Sequence, residues 1–577
     1  MADVLSGRLP PTGTWESAGV PGGIPTARRS PSVNAVVSYG VDNTGTTSAV
    51  SAINTALAAA SANSEVYLPP GRYIVDGQIN ITNNNVTLRG AGIDSTILVA
   101  SGSTPTIYAG SSSSWQSHNQ AITGGDYPVG SSTFSVASTT GFTVGQMVRV
   151  WQQNNQDPLA PVIDVNASDY MQAQTTVLTG KTANTLTVSP AIVFPLLASL
   201  NPEIYYNSTY KTGIGIEDLY IDASAKTGNY TVELNCALSS WVKNVRSYKS
   251  NGYHFYVNYG TQCEFRGCYL DDLQVVGNNN AGIKFDTVSS SLIIDNIFYR
   301  QFPAIQINGQ PVTARAQAYV GGGSAGNVVA YNYIYNSPQT GGQIGYAIVS
   351  DHGAHNTFNL YEGNIGCKFV QDGWYGSDSG DTVVRNWFQG IDPSSALLAE
   401  CVVLGRFTRN ASVAGNLLGT AGYTFTYDAL ETNVNENAIR YIYRLGYPAA
   451  GTRTYTGTAQ PSIGDWWADY GTGPGTTGFQ ELDRDVAGTL LRKGNYNTQD
   501  AAIPASESLG TSTVASSYFL TSKPAWFNFL AWPPFDPTSP VFSTDAIPAG
   551  YRYNHGYNPP VTPFPGRVSG QPLLGSM

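Results

Sequence analysis

The sequence predicts an all-β fold, a right-handed parallel β-helix in which short strands wind into a stacked solenoid. One observation is a repeat between residues 214 and 420, in which an apolar strand residue, a polar bend residue and a second apolar residue recur. The bend residues are Asn, Asp or Gly, which tolerate the left-handed backbone of a sharp corner. The chain is also only 12% charged and contains 62 Gly and 36 Tyr, which suits strands and turns better than exposed helices.

The repeat also predicts which side chains point into the solenoid. The bend residues align as Asp218, Asn244, Gly267, Asn296, Asn332, Asn364, Asn386 and Asn416. Because side chains alternate along a strand, the residue two positions before each bend lies on the same face in every coil. That residue is apolar in every coil except at Glu362, so this face is predicted to point inward. Either Glu362 is buried in the interior, or a register slip brings it to the surface beside Arg385 and Tyr331.

Helical and strand patterns outside the repeat predict the other parts of the chain. Val50, Ile53 and Leu57 have helical spacing and predict a helix that caps the first coil. The predicted order is a Pro/Gly-rich docking arm at 1–32, the β-helix start with its capping helix at 33–121, an inserted module of β-hairpins at 122–200, the main coils at 201–420, and the β-helix end with a Trp- and Pro-rich C-terminal capping segment at 421–577. Within that last segment, Trp526, Trp532 and Phe535 are predicted to cover the end of the solenoid.

Two stretches resemble known β-helix proteins. "YGVDNTGTT", "VYLPPGRYIV" and "VTLRGAG", within residues 37–100, resemble the opening of the pectate-lyase-like right-handed parallel β-helix superfamily. This resemblance implies the fold but not the activity, because lyases, hydrolases, epimerases and phage tailspikes share it. "HGAH", "LYEGN" and "RDVAGTLLRKGNYN", within residues 327–550, resemble uncharacterised bacterial and phage β-helix proteins, which imply no chemistry.

Composition and charge argue against several classes of protein. The net charge of −10 argues against a nucleic-acid partner, which requires clustered Lys and Arg. The sequence contains no run of 18 apolar residues, so it predicts no membrane-spanning helix. The first residues do not have the pattern of a secretory signal peptide. The five cysteines show no zinc or disulfide spacing and are predicted to be small buried residues.

The densest set of chemically active side chains lies between residues 351 and 385. Hydrolysis of a polysaccharide requires two carboxyl groups, and β-elimination requires a base and a group that neutralises a uronate. The predicted catalytic residues are Glu362, His355, His352, Asp372, Asp378 and Arg385. Trp374, Tyr375 and Tyr331 are predicted to bind substrate, because flat aromatic rings stack on sugars. The alternative is structural: His355 caps a loop, and Asp378 and Asp381 only make turn hydrogen bonds.

A second cluster of acids is predicted on the outside of the solenoid. Asp271 and Asp272 follow one bend and Asp295 lies one coil further, with Asp286 between them in the sequence. Carboxylates on coils about 4.8 Å apart can meet the separation of a retaining glycosidase, so Asp271, Asp272 and Asp295 are added to the predicted substrate-binding residues. No calcium-binding loop motif occurs, and we expect no cofactor and no metal.

These patterns predict a phage tailspike that binds, and cleaves, a polysaccharide of the host cell surface. The expected assembly is a homotrimer in the virion tail, attached to a tail or baseplate protein through the N-terminal arm, with no nucleic-acid partner and no membrane insertion. One alternative is a secreted bacterial polysaccharide lyase or glycoside hydrolase. The other is a β-helix that binds a receptor without catalysis, or is purely structural.

Overall fold

Three faces of stacked parallel strands enclose one apolar interior. The computed structural model describes residues 2–111, 119–153, 170–275, 280–308, 323–338, 345–350, 353, 355–371, 378–393, 398–429, 440–447 and 483–556. Two faces belong to a 22-stranded sheet and the third to an 11-stranded sheet. Strands of neighbouring coils pair in parallel, as at Ala330, Glu362 and Val384. The predicted all-β parallel β-helix is confirmed.

Each face contributes one short strand to a coil. Face 1 contains Ser32–Asn34, Glu65–Tyr67, Thr87–Arg89, Glu264–Arg266, Leu292–Ile294, Val328–Ala330, Leu360–Glu362, Thr382–Val384, Ser412–Ala414 and Leu491–Lys493. Face 2 contains Thr44–Ser48, Gly71–Val75, Thr96–Gly102, Tyr269–Leu273, Ile297–Tyr299, Tyr333–Tyr335, Ile365–Gly366, Trp387–Phe388, Leu417–Leu418 and Tyr496–Asn497. Gly215–Lys226 and Trp241–Ser250 are long strands that belong to both of these faces. Face 3 contains Ile79–Ile81, Ile107–Gly110, Tyr230–Asn235, Tyr253–Asn258, Ile283–Asp286, Ile305–Asn308, Ile348–Ser350, Phe369–Gln371, Ala399–Gly405, Thr426–Ala429 and Arg440–Tyr447.

The corner between faces 1 and 2 is a left-handed residue in coil after coil. The residues with positive φ, between 50° and 69°, are Asp218, Asn244, Gly267, Asp295, Tyr331, Gly363, Arg385, Gly415 and Gly494. In the first three coils these are the predicted bend residues. From the fourth coil onward the bend lies one residue earlier than predicted, because the asparagine of each coil follows the left-handed residue.

The asparagines after the bend form a ladder inside the solenoid. The backbone N–H of Asn332 donates to Asn364 Oδ1 at 3.0 Å, and that of Asn364 donates to Asn386 Oδ1 at 2.8 Å. The ladder continues from Asn386 to Asn416 and Asn495. All of these side chains are buried, so each amide satisfies backbone groups that water cannot reach.

This shift corrects the predicted inward column. The interior cluster contains Ile216, Val242, Phe265, Ile293, Val329, Tyr361, Val383 and Val413. The residues after them, including Ile294, Ala330, Glu362 and Val384, point outward. The prediction that this column faces inward is therefore wrong for the later coils. Glu362 lies in regular register without a bulge.

A helix and a small barrel accompany the first coils. In the helix Val50–Ala59, Ile53, Ala56 and Leu57 are buried against the interior cluster. The other α-helices of the described residues are Ala35–Tyr39, Arg484–Thr489 and Pro548–His555. A closed barrel occupies the region predicted as an inserted module; its strands are Asn119–Thr123, Thr133–Val136, Met147–Gln153, Tyr170–Lys181, Thr185–Ser189 and Glu203–Tyr206. Two short strand pairs complete the fold, Lys211–Thr212 with Ala237–Leu238 and Asn356–Thr357 with Asp378–Ser379.

The N-terminal arm, residues 2–31, packs against the body of the protein. Trp15 is 3% exposed, and its indole N–H donates to the carbonyl of Phe358 at 2.6 Å. The N–H of Gly19 donates to Ser290 O at 2.9 Å. Aromatic burial and these backbone hydrogen bonds explain why a Pro/Gly-rich segment without a core of its own is ordered here.

The C-terminal segment, residues 513–556, lies along the side of face 1. Phe527 and Phe535 are fully buried in a cluster with Tyr331 and Val384, which lie outside the solenoid interior. The prediction that Trp526, Trp532 and Phe535 cover the end of the solenoid is wrong, since Trp532 contacts Tyr331 in the middle of the stack. Coils continue beyond residue 420, through Arg440–Tyr447 and Leu491–Lys493, within the region predicted to contain the end of the β-helix. All five cysteines are buried and free, as predicted.

Candidate functional site

Glu362 points out from face 1 but is covered by the C-terminal segment. It is only 1% exposed. Its Oε1 accepts a hydrogen bond from the Tyr331 hydroxyl at 2.5 Å, and its Oε2 accepts one from the Tyr518 N–H at 2.8 Å. Burial raises the pKa of this carboxyl group, although its hydrogen-bond donors oppose the shift. With both oxygens bonded and the side chain covered, Glu362 has the geometry of an anchor.

Arg385 and Tyr331 hold the same segment. The guanidinium of Arg385 donates to three carbonyl oxygens, those of Val514 at 2.6 Å, Ala515 at 2.7 Å and Phe535 at 3.0 Å. The Tyr331 ring packs edge-on against Phe527, with the ring centroids 5.0 Å apart. A guanidinium engaged by three carbonyls is not placed to neutralise a uronate.

Asp378 lies inside the solenoid with Asp381, rather than on an exposed turn. Both are fully buried. Asp378 Oδ2 accepts from Ser350 Oγ at 2.8 Å and from Gln371 Nε2 at 2.9 Å, and Asp381 Oδ1 accepts from the Asn359 N–H at 2.7 Å. Burial raises the pKa of Asp381 to about 7, and burial and the carboxyl group of Asp381 raise the pKa of Asp378 well above its usual range. The pair therefore retains a proton at neutral pH and joins the polar ladder of the interior.

Of the two predicted catalytic histidines, only His355 lies among the described residues. His355 is 5% exposed and adopts a left-handed backbone with φ of 61°. Burial lowers the pKa of its imidazole to about 4, so it is neutral at physiological pH. The predictions for His352, Asp372, Trp374 and Tyr375 lie outside the described residues.

Each aspartate of the second predicted cluster has its own arginine partner. The shortest distances from the guanidinium nitrogens to the carboxylate oxygens are 2.5 Å for Arg246 with Asp271, 3.2 Å for Arg300 with Asp272, and 2.7 Å for Arg552 with Asp295. Asp271 pairs in register with Tyr299 rather than with Asp295. The predicted pairing of these carboxylates is wrong, because face 2 carries Asp271 while Asp295 occupies the corner.

A different group of side chains converges on the outside of face 3. The outward column of this face is in register as Tyr108, Glu233, Tyr256, Lys284 and Gln306. Tyr230 and Tyr253 flank the column and stack on Tyr256, with ring centroids 4.7 and 5.9 Å apart. We call this surface the face 3 groove. Parallel tyrosine rings that retain partial exposure provide flat apolar platforms with a polar edge.

Partial burial and neighbouring charges shift the pKa values of Glu233 and Lys284 in the face 3 groove. Burial raises the pKa of Glu233 to about 7, so its carboxyl group is partly protonated at neutral pH. One coil beyond Tyr256, the Lys284 ammonium lies 3.3 Å from Asp286 Oδ2, which also accepts the Tyr256 hydroxyl at 2.8 Å. Burial acts to lower the pKa of Lys284, but Asp286 and Tyr253 raise it above its usual value. Lys284 therefore remains a cation beside the carboxyl group of Asp286.

Several buried polar atoms of this groove have no hydrogen-bond partner among the described residues. They include Asp286 Oδ1, Gln306 Oε1, and Oδ1 and Nδ2 of Asn308. Asp286 and Gln306 are each 3% exposed, and Asn308 is fully buried. An unpaired buried polar group costs roughly 1–3 kcal/mol, so these atoms favour any rearrangement that gives them a polar partner. Hydroxyl-rich ligands suit such a set, because each hydroxyl both donates and accepts.

The sequence contains a signal for this groove that lies outside both predicted clusters. "VELN", "FYVN", "IKFD" and "IQIN" share an apolar-polar-apolar-Asn/Asp order or a close variant of it. In the structure their last residues, Asn235, Asn258, Asp286 and Asn308, lie side by side on neighbouring coils. The sequence alone shows Asp286 as one of several acids on the outside of the solenoid. It does not reveal the strand register that brings Asp286 close to Glu233 and the tyrosines.

Comparison with protein families gives one match, to residues 32–272. The family is described as "Rhamnogalacturonase A/epimerase, pectate lyase-like". Residues 32–272 are similar to that family. The resemblance predicted from residues 37–100 is confirmed, and the matched segment includes the barrel, Glu233 and Tyr256. The comparison with curated protein sequences gave no match.

Several solved structures are similar to this chain at low identity. The tailspike gp61 of Pseudomonas phage phi297 is 12% identical, with a TM-score of 0.42 over 75% of this chain and 82% of that one. The tailspike gp49 of Pseudomonas phage LKA1 is 12% identical, with a TM-score of 0.43 over 72% and 79%. The Streptococcus pneumoniae surface adhesin PfbA is 10% identical, with a TM-score of 0.38 over 69% and 82%. At these values the likenesses do not extend to activity.

Membrane-spanning helices and metal clusters are both absent from the part of the chain that the structure describes. No helix within it has the length and apolar character needed to cross a membrane. No three His, Cys, Asp or Glu side chains within it are grouped to hold a metal ion.

Proposed function

We propose that the protein binds a polysaccharide along the face 3 groove and cleaves its glycosidic bonds there. The observation that carries this proposal is the combination, on one surface, of stacked tyrosines, a carboxyl group with a pKa near 7 and a second carboxylate held by a lysine. The tyrosines provide stacking platforms for sugar rings. The unpaired amide and carboxylate oxygens accept hydrogen bonds from sugar hydroxyls.

In the proposed reaction Glu233 is the proton donor and Asp286 the base. A glycosidase needs one protonated and one ionised carboxyl group, and different environments keep the two apart in pKa. Glu233 lies on Tyr230–Asn235 and Asp286 on Ile283–Asp286, two coils further along. Two coils span about 10 Å at about 4.8 Å per coil, and Asp286 also lies two residues along the strand from the column of Glu233. This separation of the two backbone positions excludes the close retaining arrangement, and side chains that extend toward each other favour the wide, inverting one with a water molecule between the carboxyl groups.

For the biological setting we propose a phage tailspike that acts on a polysaccharide of the host cell surface. A homotrimer in the virion tail, attached to a tail or baseplate protein, belongs to this proposal. The alternative is a secreted bacterial polysaccharide lyase or hydrolase, which has the same fold. The mass of the protein in solution separates the two settings, since the tailspike is expected to be trimeric and the secreted enzyme monomeric.

Digestion of a panel of polysaccharides tests the proposed chemistry. The panel contains capsular polysaccharide, exopolysaccharide, lipopolysaccharide, pectin and alginate, and both reducing ends and the ultraviolet absorbance of unsaturated uronates are measured. We expect reducing ends without absorbance, which indicates hydrolysis. Glu233→Gln and Asp286→Asn are expected to lower cleavage at least ~100-fold while binding persists.

Asp485→Asn is the matched control, because that carboxylate is 67% exposed and lies on a helix outside the groove. An increase in the absorbance of unsaturated uronates would mean that the reaction is β-elimination rather than hydrolysis. Binding without any new ends would leave a non-catalytic receptor-binding protein. Wild-type cleavage by both groove variants would overturn the proposed site.

A further inference from the structure

A second pocket lies on face 1, where the N-terminal arm and the C-terminal segment meet the coils. Its volume is about 390 Å³, within the range of small-molecule sites. Its walls include Trp15 and Gly19 of the arm, Arg266 and Leu292 of face 1, and Phe519 and Trp526 of the C-terminal segment. Three stretches that are far apart in the sequence therefore build it. Face 3, with the proposed catalytic groove, is a different face of the solenoid.

Arg266 gives this pocket its charge. It belongs to the outward column of face 1, in register with Lys243 and Ile294. Its Nε donates to Glu264 Oε1 at 2.6 Å, and its side chain remains 26% exposed. Among the described residues, its two terminal nitrogens, Nη1 and Nη2, have no acceptor. A guanidinium fixed through Nε presents these two nitrogens side by side.

Glu264 is already engaged in holding the pocket together. Its Oε1 accepts the Nε of Arg266, and its Oε2 accepts the N–H of Val20 at 3.2 Å. The carboxylate is only 2% exposed. It therefore orients the guanidinium and fixes the arm, and it leaves the outer edge of Arg266 available to another anion.

Trp526 supplies a flat surface next to this cation. The guanidinium carbon of Arg266 lies 5.6 Å from the centroid of the Trp526 ring. Trp526 is itself held edge-on by Tyr331, at 5.7 Å between ring centroids. A fixed indole beside a fixed guanidinium matches a ligand that has both an apolar ring face and a carboxylate.

We propose that this pocket binds a carboxylate-bearing sugar unit. Its carboxylate receives two parallel hydrogen bonds from Nη1 and Nη2 of Arg266, and its ring stacks on Trp526. The proposal goes beyond the cleavage site: it assigns a second carbohydrate site of uronate chemistry to face 1. It holds whether or not the face 3 groove is catalytic.

The proposal is tested by measuring the binding of sodium D-glucuronate to the full chain at low salt, with ligand-observed NMR as the readout. We expect glucuronate to bind and glucose not to bind. Arg266→Met and Trp526→Leu are expected to weaken glucuronate binding at least tenfold. Arg266→Lys keeps the charge but cannot form the two-pronged contact, and a several-fold loss is expected for it.

Lys243→Met is the matched control, since Lys243 lies in the same outward column but does not line the pocket. Glu233→Gln is the second control and is expected to bind glucuronate normally, which separates this pocket from the face 3 groove. Should Arg266→Met unfold, Arg266→Lys and Trp526→Leu carry the test. Equal binding of glucose and glucuronate, no binding of glucuronate, or unchanged binding by folded Arg266 and Trp526 variants would each overturn the proposal.

Discussion

Arg552 forms a buried ion pair with Asp295, which lies 257 residues earlier in the chain. Its Nη1 lies 2.9 Å from Oδ1 and 2.7 Å from Oδ2 of Asp295, and its Nη2 donates to the Asp295 carbonyl at 2.6 Å. Both side chains are almost fully buried. Asp295 is a left-handed corner residue of the coil. The last helix, Pro548–His555, is therefore attached at a corner of the solenoid.

Arg552→Met is expected to lower the free energy of unfolding by about 3–5 kcal/mol, because it leaves the buried carboxylate of Asp295 without its cation. Chemical denaturation measures the change. Arg300→Met is the control: its pair with Asp272 is 40% exposed on the arginine side, and exposed pairs contribute at most about 1 kcal/mol. If both variants lower the free energy of unfolding by similar amounts, the buried Arg552–Asp295 pair does not stabilise the protein more than the exposed pair does.

Asp381→Asn is expected to stabilise the protein at neutral pH. The pKa of Asp381 is raised to about 7 in the folded state, against about 3.9 in an unfolded chain. Folding therefore favours the protonated acid, and stability falls as the pH rises through the window from about 4 to 7. An asparagine keeps the oxygen that accepts the Asn359 N–H and removes this loss.

The gain is expected to be about 2–4 kcal/mol at pH 8 and to vanish near pH 4. Thermal unfolding at several pH values measures it, with Asp485→Asn as an exposed control. A constant difference at all pH values would mean that ionisation of this buried pair is not the cause.

Glu362→Gln is expected to leave polysaccharide cleavage unchanged, because the amide oxygen can still accept the Tyr518 N–H while the amide NH2 donates to the Tyr331 hydroxyl. Glu362→Ala removes both acceptor atoms and is expected to cost about 1–3 kcal/mol and to loosen the C-terminal segment. Limited proteolysis within residues 513–535 reports this loosening. Loss of cleavage by a correctly folded Glu362→Gln would restore the catalytic role predicted from the sequence.

Cleavage is expected to decline above pH 7 if Glu233 donates a proton, since burial raises the pKa of this group to about 7 and only its protonated form can act. The profile of kcat/KM against pH should fall about tenfold per pH unit on the alkaline side. Polysaccharide binding measured at pH 8.5 serves as the control and should persist. A flat profile between pH 6 and pH 9 would exclude Glu233 as the acid.

The overall fold was predictable because its main determinant is local. Gly, Asn and Asp at regular corners, and apolar residues between them, describe the winding of one coil without reference to distant residues. The error of one residue in the later coils has a physical cause. Asn both tolerates a left-handed backbone and bonds along a ladder, so the Asn of "YNY" suggested the corner, whereas Tyr331 occupies it.

The candidate site was harder to predict because it depends on distant parts of the chain. Glu362 looked like an unusual acid in an apolar column, but residues near Tyr518, 156 positions later, cover it. The face 3 groove needs the register of Tyr230–Asn235, Tyr253–Asn258 and Ile283–Asp286, whose spacing along the sequence is irregular. Only the stacked coils bring Glu233, Tyr256 and Lys284 into one column.

The contact between the two ends of the described chain has a consequence for biosynthesis. The N–H of Val4 donates to Thr513 O at 2.9 Å, the N–H of Thr513 donates to Ala2 O at 3.0 Å, and the Tyr518 hydroxyl donates to Asp3 at 2.8 Å. Residues 2–4 are thus held by residues that are synthesised long after them. A chain interrupted before residue 513 lacks these partners, so a truncated product leaves the segment around residues 2–4 loose and open to cellular proteases.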